Sequence, residues 1–543
     1  MAEPTRDARI PVRCTGPLHA ARVCMSAARL LAIDVGTQSA RAIVFDQYGR
    51  LLAKAQVAFD PPYVSPQPGW AEQDAEHYWS AVASACRELW RQGELRPDSI
   101  SGVALTTLRS TVICADAAGR PLRPAIVWLD QRKATRLPPL GAFWSGAFAL
   151  AGASGLIQHF QSEAEANWLA QHEAELWHAT DKFVFLSGWL LHRMVGEWVD
   201  SSGAQVGFVP FDYKRLAWAA PADFKWRAVA VRRDQLPRLV APGGRLGALV
   251  PTAAEALGLP AGLPVYAAAA DKACEVLGSG ALGADVGQLS FGTTATINTT
   301  QARYVEVQRM LPAYPAAVPG AYNTEIQIYR GYWMVSWFKR EFAEREQLKA
   351  RELGVPVESL FDELVKRAPP GAMGLTLQPY WSPGVRDPGP EAKGAIIGFG
   401  DVHTRAHLYR AILEGLAYSL RGGREQIERR LGHPLRRFIA AGGGSQSDMA
   451  MQITADVFGC AIERPELYET SALGAAINLA VGLGLYPDYA RAVAAMTRSG
   501  SVFVPDAAAQ KTYDALYREV YSELYPRLRP LYRRIRAITG YPA

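Results

Sequence analysis

The stretch Leu30–Phe45, LLAIDVGTQSARAIVF, constrains this chain more than any other. An apolar run from Leu30 to Val35 carries a single acid, Asp34. Gly36-Thr37-Gln38-Ser39 follows as a turn rich in hydroxyls, and Ala40 to Phe45 is a second β-prone run. The spacing predicts a tight hairpin with an acid at its mouth. Backbone N–H groups and hydroxyls of such a turn can face a phosphate, and the acid beside them can hold Mg²⁺ directly or through water. An ordinary hairpin of an α/β sheet reads the same way on this stretch alone.

Support comes from a second, similar stretch. Gly287–Thr299 reads strand, turn, strand around Gly292-Thr293-Thr294. The likeness suggests a weak internal duplication with one phosphate-facing hairpin per half. A chain of 543 residues is long enough for two domains, each with its own core. The break at Gly278-Ser279-Gly280 puts the boundary near 280–286, giving domains 29–283 and 284–543. A third glycine-rich turn, Gly442-Gly443-Gly444-Ser445-Gln446-Ser447, follows the strand Arg437–Ala441. None of the three turns matches the P-loop or the dinucleotide fingerprint. Together, with two acids at strand ends, they favour a nucleotide held between two domains.

The second of those acids is Asp271, which ends the strand Val265–Ala270 and precedes Lys272. Phosphoryl transfer needs a metal to neutralise oxygens and a base to take the acceptor's proton. Asp34 and Asp271 fit that division of labour. Asp271 also fits a helix N-cap, a compatible role.

Composition narrows the partners. The net charge of +6 is spread along the chain, with no basic helix interleaved with aromatics, which argues against nucleic acid. No apolar run approaches a membrane span. The six cysteines show no CxxC pair, so neither a zinc site nor a disulfide framework is expected, and a reduced cytoplasmic compartment fits. Residues 1–28 carry Arg6, Arg9, Arg13 and Arg22 without periodicity or an apolar core. That argues against a secretory signal; a transit peptide shares the bias, and the simpler account is a poorly ordered extension with Met25 as the biological start.

Periodicity places the remaining elements. Strands are expected at 51–59, 100–105, up to Ala115 and at 125–129, and helices at 78–91, 404–431, 448–458, 472–485 and 509–537. The span 140–240 reads as mostly helical, with Trp168, Trp177, Phe183, Phe185 and Trp189 as core.

These motifs resemble the FGGY carbohydrate kinases, the glycerol, xylulose and gluconate kinase group, over about 29–535. Asp34-x-Gly36-Thr37-x-Ser39-x-Arg41 resembles the family's first phosphate hairpin and Gly292-Thr293-Thr294 its second. Gly394-Ala395-Ile396-Ile397-Gly398, then His407-Leu408 and Ala411 to Gly415, is similar to its C-terminal signature, with a departure at Phe399. Gly442–Ser447 with Ser471–Ala476 resembles its adenosine-binding turn and following helix.

The resemblance implies an α/β fold of two actin-like ATPase (ribonuclease H-like) domains flanking a nucleotide cleft, with ATP and Mg²⁺ as cofactors. It implies Asp271 as general base and Asp34 as organiser of Mg²⁺. Gly36, Thr37, Gln38, Ser39 and Arg41 would hold the β- and γ-phosphates, with Gly292, Thr293 and Thr294 opposite. Gly442, Gly443, Gly444 and Ser447 would meet the nucleoside. Trp70, Arg109, Ser110, Phe160, Asp271 and Lys272 would bind the acceptor. Dimers or tetramers are common in the family, so a homodimer is one expectation, and nothing in this sequence shows an interface.

The acceptor end departs from the family's patterns. Glycerol kinases carry Gln-Arg-Glu-Thr where this chain has Leu108-Arg109-Ser110-Thr111, and a tyrosine where it has Phe160. The Gln-Met-His triplet of xylulose kinases is absent. Ser110 removes a charge and leaves room, so the expected acceptor is larger than glycerol: a ketose such as a pentulose, as in xylulose kinases. The alternatives are a polyol kinase of the glycerol kinase type and a non-catalytic actin-like ATP-binding regulator.

Overall fold

The structure is a computed structural model that describes residues 28–541; the expectation for the N-terminal extension falls outside them. Arg29–Val35 is buried on both faces from Leu30 onward, which an isolated hairpin cannot achieve and a central strand must. It is central: the first sheet runs Arg245–Ala248, Pro264–Ala267, Ile100–Thr107, Arg29–Val35, Ser39–Asp46, Leu51–Ala58. The second sheet runs Tyr314–Pro315, Tyr322–Ile328, Ala295–Gln301, Val286–Phe291, Arg437–Ala441, Ile462–Pro465, Ser499–Phe503.

The internal duplication is visible in the pairing. From Leu51–Ala58 inward, neighbouring strands pair antiparallel, antiparallel, parallel, parallel, antiparallel. From Tyr322–Ile328 inward the second sheet repeats that pattern. The last two strands break the repeat in chain order, since Arg245–Ala248 precedes its inner neighbour and Ser499–Phe503 follows its own. One hydrophobic cluster surrounds each sheet, from Leu31 to Ala267 and from Leu289 to Leu524.

A third cluster joins the halves. The helix Thr470–Gly482 comes late in the chain yet packs on the first sheet beside Leu30, Ala32 and Ala104. It crosses the helix Asp271–Gly278 so closely that a Cβ on Gly474 would stand 2.0 Å from the Cys274 carbonyl oxygen, and one on Gly278 1.9 Å from that of Thr470. The Ala/Gly-rich sequence of the late helix is what permits this approach.

A smaller four-stranded layer, Glu72–Gln73, Ala125–Ile126, Val112–Ala115 and Lys182–Phe185, stands beside the first sheet. Trp168, Trp177, Phe183, Phe185 and Trp189 are buried, as expected. Three expectations need correction. Helices fill 140–240 mainly as far as Val195, and beyond it the one α-helix is the short Lys225–Ala228; Gly196, Gly203, Gly207, Pro210, Pro221 and Pro237 keep longer runs from forming there. The strand expected over 125–129 stops at Ile126, and Trp128 turns toward the cleft. The terminal helix is two helices, Ala507–Leu516 and Ser522–Thr539, joined by a π-helical turn. Among the described residues no helix is long and apolar enough to cross a membrane.

Candidate active site

Strand register builds the hairpin end of the site. In the first hairpin Asp34 lies opposite Arg41, with Gly36–Gln38 forming the turn. The cross-strand pair closes as an ion pair, Arg41 Nη1 to Asp34 Oδ2 at 3.0 Å. Glu469, just ahead of the helix Thr470–Gly482, stands 3.8 Å from Arg41 and also binds Lys54. Arg41 Nε is buried without a partner, the kind of free donor a phosphate oxygen would take. The Thr37 hydroxyl accepts from Trp128 Nε1 at 2.9 Å and keeps its own proton to donate. Gln38 is exposed at the tip; Ser39 is buried and accepts from Gln56 Nε2 at 3.2 Å. The second hairpin turns over Gly292–Thr294, where Thr294 donates to the Tyr329 carbonyl at 3.2 Å and Thr293 is exposed.

The same register delivers Arg109 and Ser110 to the other end of the site. Thr106 and Thr107 pair beside Asp34 and Val35, so the chain leaves the sheet at the hairpin mouth with Leu108, Arg109 and Ser110. Ser110 has a positive φ of 54°, and its hydroxyl donates to the Val206 carbonyl at 2.9 Å. Arg109 presents both terminal nitrogens to Glu325 of the second half, at 3.2 and 3.0 Å. Its guanidinium also lies 5.1 Å from the centre of the Tyr314 ring.

Asp271 opens its helix one strand further over. Thr106 Oγ1 donates to the Ala269 carbonyl at 2.8 Å, and Ser201 Oγ donates to that of Ala268, which fixes the backbone that presents the acid. The cap position belongs to Ala270; Asp271 is the first helical residue, and its Oδ1 accepts from the Lys272 N–H at 2.7 Å. Burial raises the Asp271 carboxyl above its ordinary range, and nearby Lys272 and Arg109 offset part of that. Burial likewise pushes Asp34 up to about 6, against the pull of Arg41 and with the repulsion of Asp271 and Glu469. Two mutually repelling acids at one mouth invite a cation. Among the described residues no cluster of three or more His, Cys, Asp or Glu side chains forms a metal cage; Mg²⁺ needs none, because it keeps waters and takes one or two carboxylates plus substrate phosphates.

One cavity of about 890 Å³ collects these groups: Thr37, Arg109, Ser110, Asp271 and Thr293 line it. Phe160, Lys272 and Thr294 complete the expected residues on its wall. Trp70 stands one layer behind, its ring 3.8 Å under the guanidinium of Arg132, which does reach the cavity. Lys272 is committed to Glu275 at 3.0 Å and to Ser290 across the cleft.

The turn Gly442–Ser447 lies outside that cavity. Gly442 has a positive φ of 89°, and a Cβ there would press to 3.1 Å from the backbone of Phe291. Gly444 rests on the Tyr332 ring, where a Cβ would come within 2.2 Å, and Gly443 is exposed beside Tyr468. Ser447 caps the helix Asp448–Phe458, accepting from Ala450 N at 3.1 Å, and donates to Asp362. Trp128, Tyr314, Glu325 and Glu469 escaped the sequence reading. Glu325 left one signal, a lone acid inside a strand that is otherwise apolar or uncharged.

Comparison with known proteins bears on the whole chain. Residues 29–278 match the model of the FGGY family of carbohydrate kinases, N-terminal domain, and 287–483 match its C-terminal domain. An uncharacterized sugar kinase of Escherichia coli, YgcE, is 30% identical over 505 residues, covering 92% of this chain and 93% of its own. The chain belongs to the FGGY family of carbohydrate kinases. A glycerol kinase of Methylibium petroleiphilum is 30% identical over 487 residues, 84% of this chain and 91% of that protein. The crystal structure of a xylulose kinase from Rhodospirillum rubrum superposes with a TM-score of 0.75 at 26% identity, covering 93% of this chain and all of that one (100%). The two sheets are thus the two actin-like, ribonuclease H-like domains of an FGGY kinase, and the chain is a phosphotransferase with an alcohol group as acceptor.

Proposed function

We propose that this FGGY kinase transfers the γ-phosphate of ATP to a hydroxyl of a small uncharged sugar or polyol, foremost a ketose such as a pentulose. Residues 29–283 supply the acceptor and phosphate contacts, and 284–543 the nucleoside contacts. The observation that carries this reading is the single cavity on which Asp271, Arg109 and both hairpin turns converge. Asp271 takes the proton of the attacking hydroxyl. Its raised affinity for protons, from burial, suits a general base working near neutral pH. Arg41, Thr37 and Thr293 bind phosphate oxygens; Gly443 and the neighbouring turn receive the nucleoside. Asp34, with Asp271 near it, would hold Mg²⁺, which supplies charge neutralisation on the transferring phosphoryl group.

Ser110 and Phe160 bear on acceptor size. The Ser110 hydroxyl is engaged by the Val206 carbonyl and Phe160 offers only its ring, so the wall there is shaped rather than charged. The 30% identity to a glycerol kinase keeps a polyol acceptor as the second reading.

The test is ADP release in the presence of an accepted sugar. Asp271→Asn lowers kcat by about 10²–10⁴-fold, the worth of a positioned base, with circular dichroism unchanged. A near-wild-type rate would remove Asp271 from the role.

A further inference from the structure

Arg109 lines the cavity beside Asp271 and, after Lys272, is the cation whose charge acts most on that acid. A buried guanidinium with a free fork is a receptor for carboxylates, which it binds through two parallel hydrogen bonds. Here the fork is already filled. Glu325 reaches across from the second half and accepts from both terminal nitrogens, at 3.2 and 3.0 Å, with side-chain exposures of 13% for the arginine and 1% for the acid. Gln327 donates to the same carboxylate, and the pull of Arg109, against burial, holds Glu325 below the usual carboxylate range.

Three other cations of the wall are taken too. Arg132 is bound by Asp130 and Glu72, Lys272 by Glu275 and Lys225 by Asp223. Lys214 and Arg386 are exposed. Glu165 lines the same cavity with no side-chain hydrogen bond to its carboxyl among the described contacts, and burial pushes it up to about 8.

We propose that Glu325 sets the charge class of the acceptor: by filling the Arg109 fork from across the cleft, it fits the site to uncharged polyhydroxy acceptors and closes it to carboxylate-bearing ones such as aldonates. The inference rests on the reading of this cavity as the acceptor site. An incoming carboxylate must displace Glu325 or sit beside it, and two carboxylates in a site of low dielectric repel strongly. A hydroxyl meets no such barrier, and Arg109 Nε, buried without a partner, is a donor suited to it. Because the pair spans the two halves, Glu325 is a positioning residue for Arg109 only while the cleft is shut.

The test compares wild type, Glu325→Gln and Glu325→Asp. Calorimetric binding of gluconate needs no turnover and so stands apart from the identity of the true acceptor. Glu325→Gln is expected to bind gluconate roughly tenfold or more tightly than wild type, the scale of one charge-assisted hydrogen bond gained, and Glu325→Asp to fall between the two. In kinetics, Glu325→Gln raises the KM of the neutral acceptor and lowers the neutral-to-aldonate ratio of kcat/KM while leaving the KM of ATP unchanged. No gain in gluconate binding by Glu325→Gln, or by Glu325→Asp should the first variant fail to fold, overturns the inference. Failure of wild type to phosphorylate any neutral sugar overturns the acceptor reading instead.

Discussion

Two side chains at the phosphate hairpin lend themselves to measurement. Trp128 Nε1 donates to Thr37 Oγ1, a bond worth about 0.5–1.5 kcal/mol net. Trp128→Phe keeps the ring and loses the donor, so the KM of ATP should rise by roughly 2- to 10-fold with kcat nearly unchanged; an unaltered KM would separate Trp128 from the nucleotide. Asp34 makes a sharper case. Its folded-state pKa of about 6 lies above the ordinary 3.8, so the folded chain binds that proton more tightly than the unfolded one. The stability this gives is fully present below the unfolded value and lost as pH rises through 6. At pH 8 the ionised acid therefore costs up to about 3 kcal/mol. Asp34→Asn should raise Tm at pH 8 while abolishing activity, with the gain fading as pH falls from 6 toward 4. An equal or lower Tm at pH 8 would contradict the account. Asp34 and Arg41 stood out in the sequence because they flank a glycine and hydroxyl turn, and Asp271 because it is a lone acid following an apolar run. Trp128 and Glu469 were not: their roles depend on partners 91 and 428 residues away (128 − 37 and 469 − 41), which no local pattern encodes.

At the scale of elements, the crossing of Asp271–Gly278 with Thr470–Gly482 ties Asp271 to the second half. Gly→Ala inside a helix ordinarily stabilises by about 0.5–1 kcal/mol. At Gly474 the sign reverses, because the new Cβ would meet backbone at 2.0 Å and nothing flexible can yield. Overpacking of this kind costs about 1–3 kcal/mol or more. Gly474→Ala should lower Tm and reduce kcat together, since the helix that moves carries Asp271; a rise in Tm would refute the tight crossing. The sequence showed this helix as Ala/Gly-rich and able to pack closely on a sheet, but not which sheet. Its place near the end of the chain suggested the second half, whereas it lies on the first. The helical reading of 140–240 failed past Val195 for a nearer reason: the glycines and prolines there were visible and were outweighed by aromatic content.

Over the whole molecule, the duplicated pairing pattern gives each half the same device, a hairpin mouth beside a parallel strand end. In the first half that strand end feeds Arg109 and Ser110 into the cavity; in the second the equivalent strand leads into the turn of Gly442 and Gly443, outside that cavity. The site is complete only when the halves meet, as Arg109–Glu325, Lys272–Ser290 and Arg41–Glu469 each span them. Closure of this kind excludes water and makes phosphoryl transfer depend on the acceptor. The most direct measurement is ADP release with Mg-ATP against a panel of polyols, pentuloses, hexuloses and aldonates. The account predicts a low rate with ATP alone and strong stimulation by an uncharged ketose or polyol, with aldonates inert. Fast ATP hydrolysis that no acceptor stimulates, or stimulation by an aldonate above every neutral sugar, would contradict it.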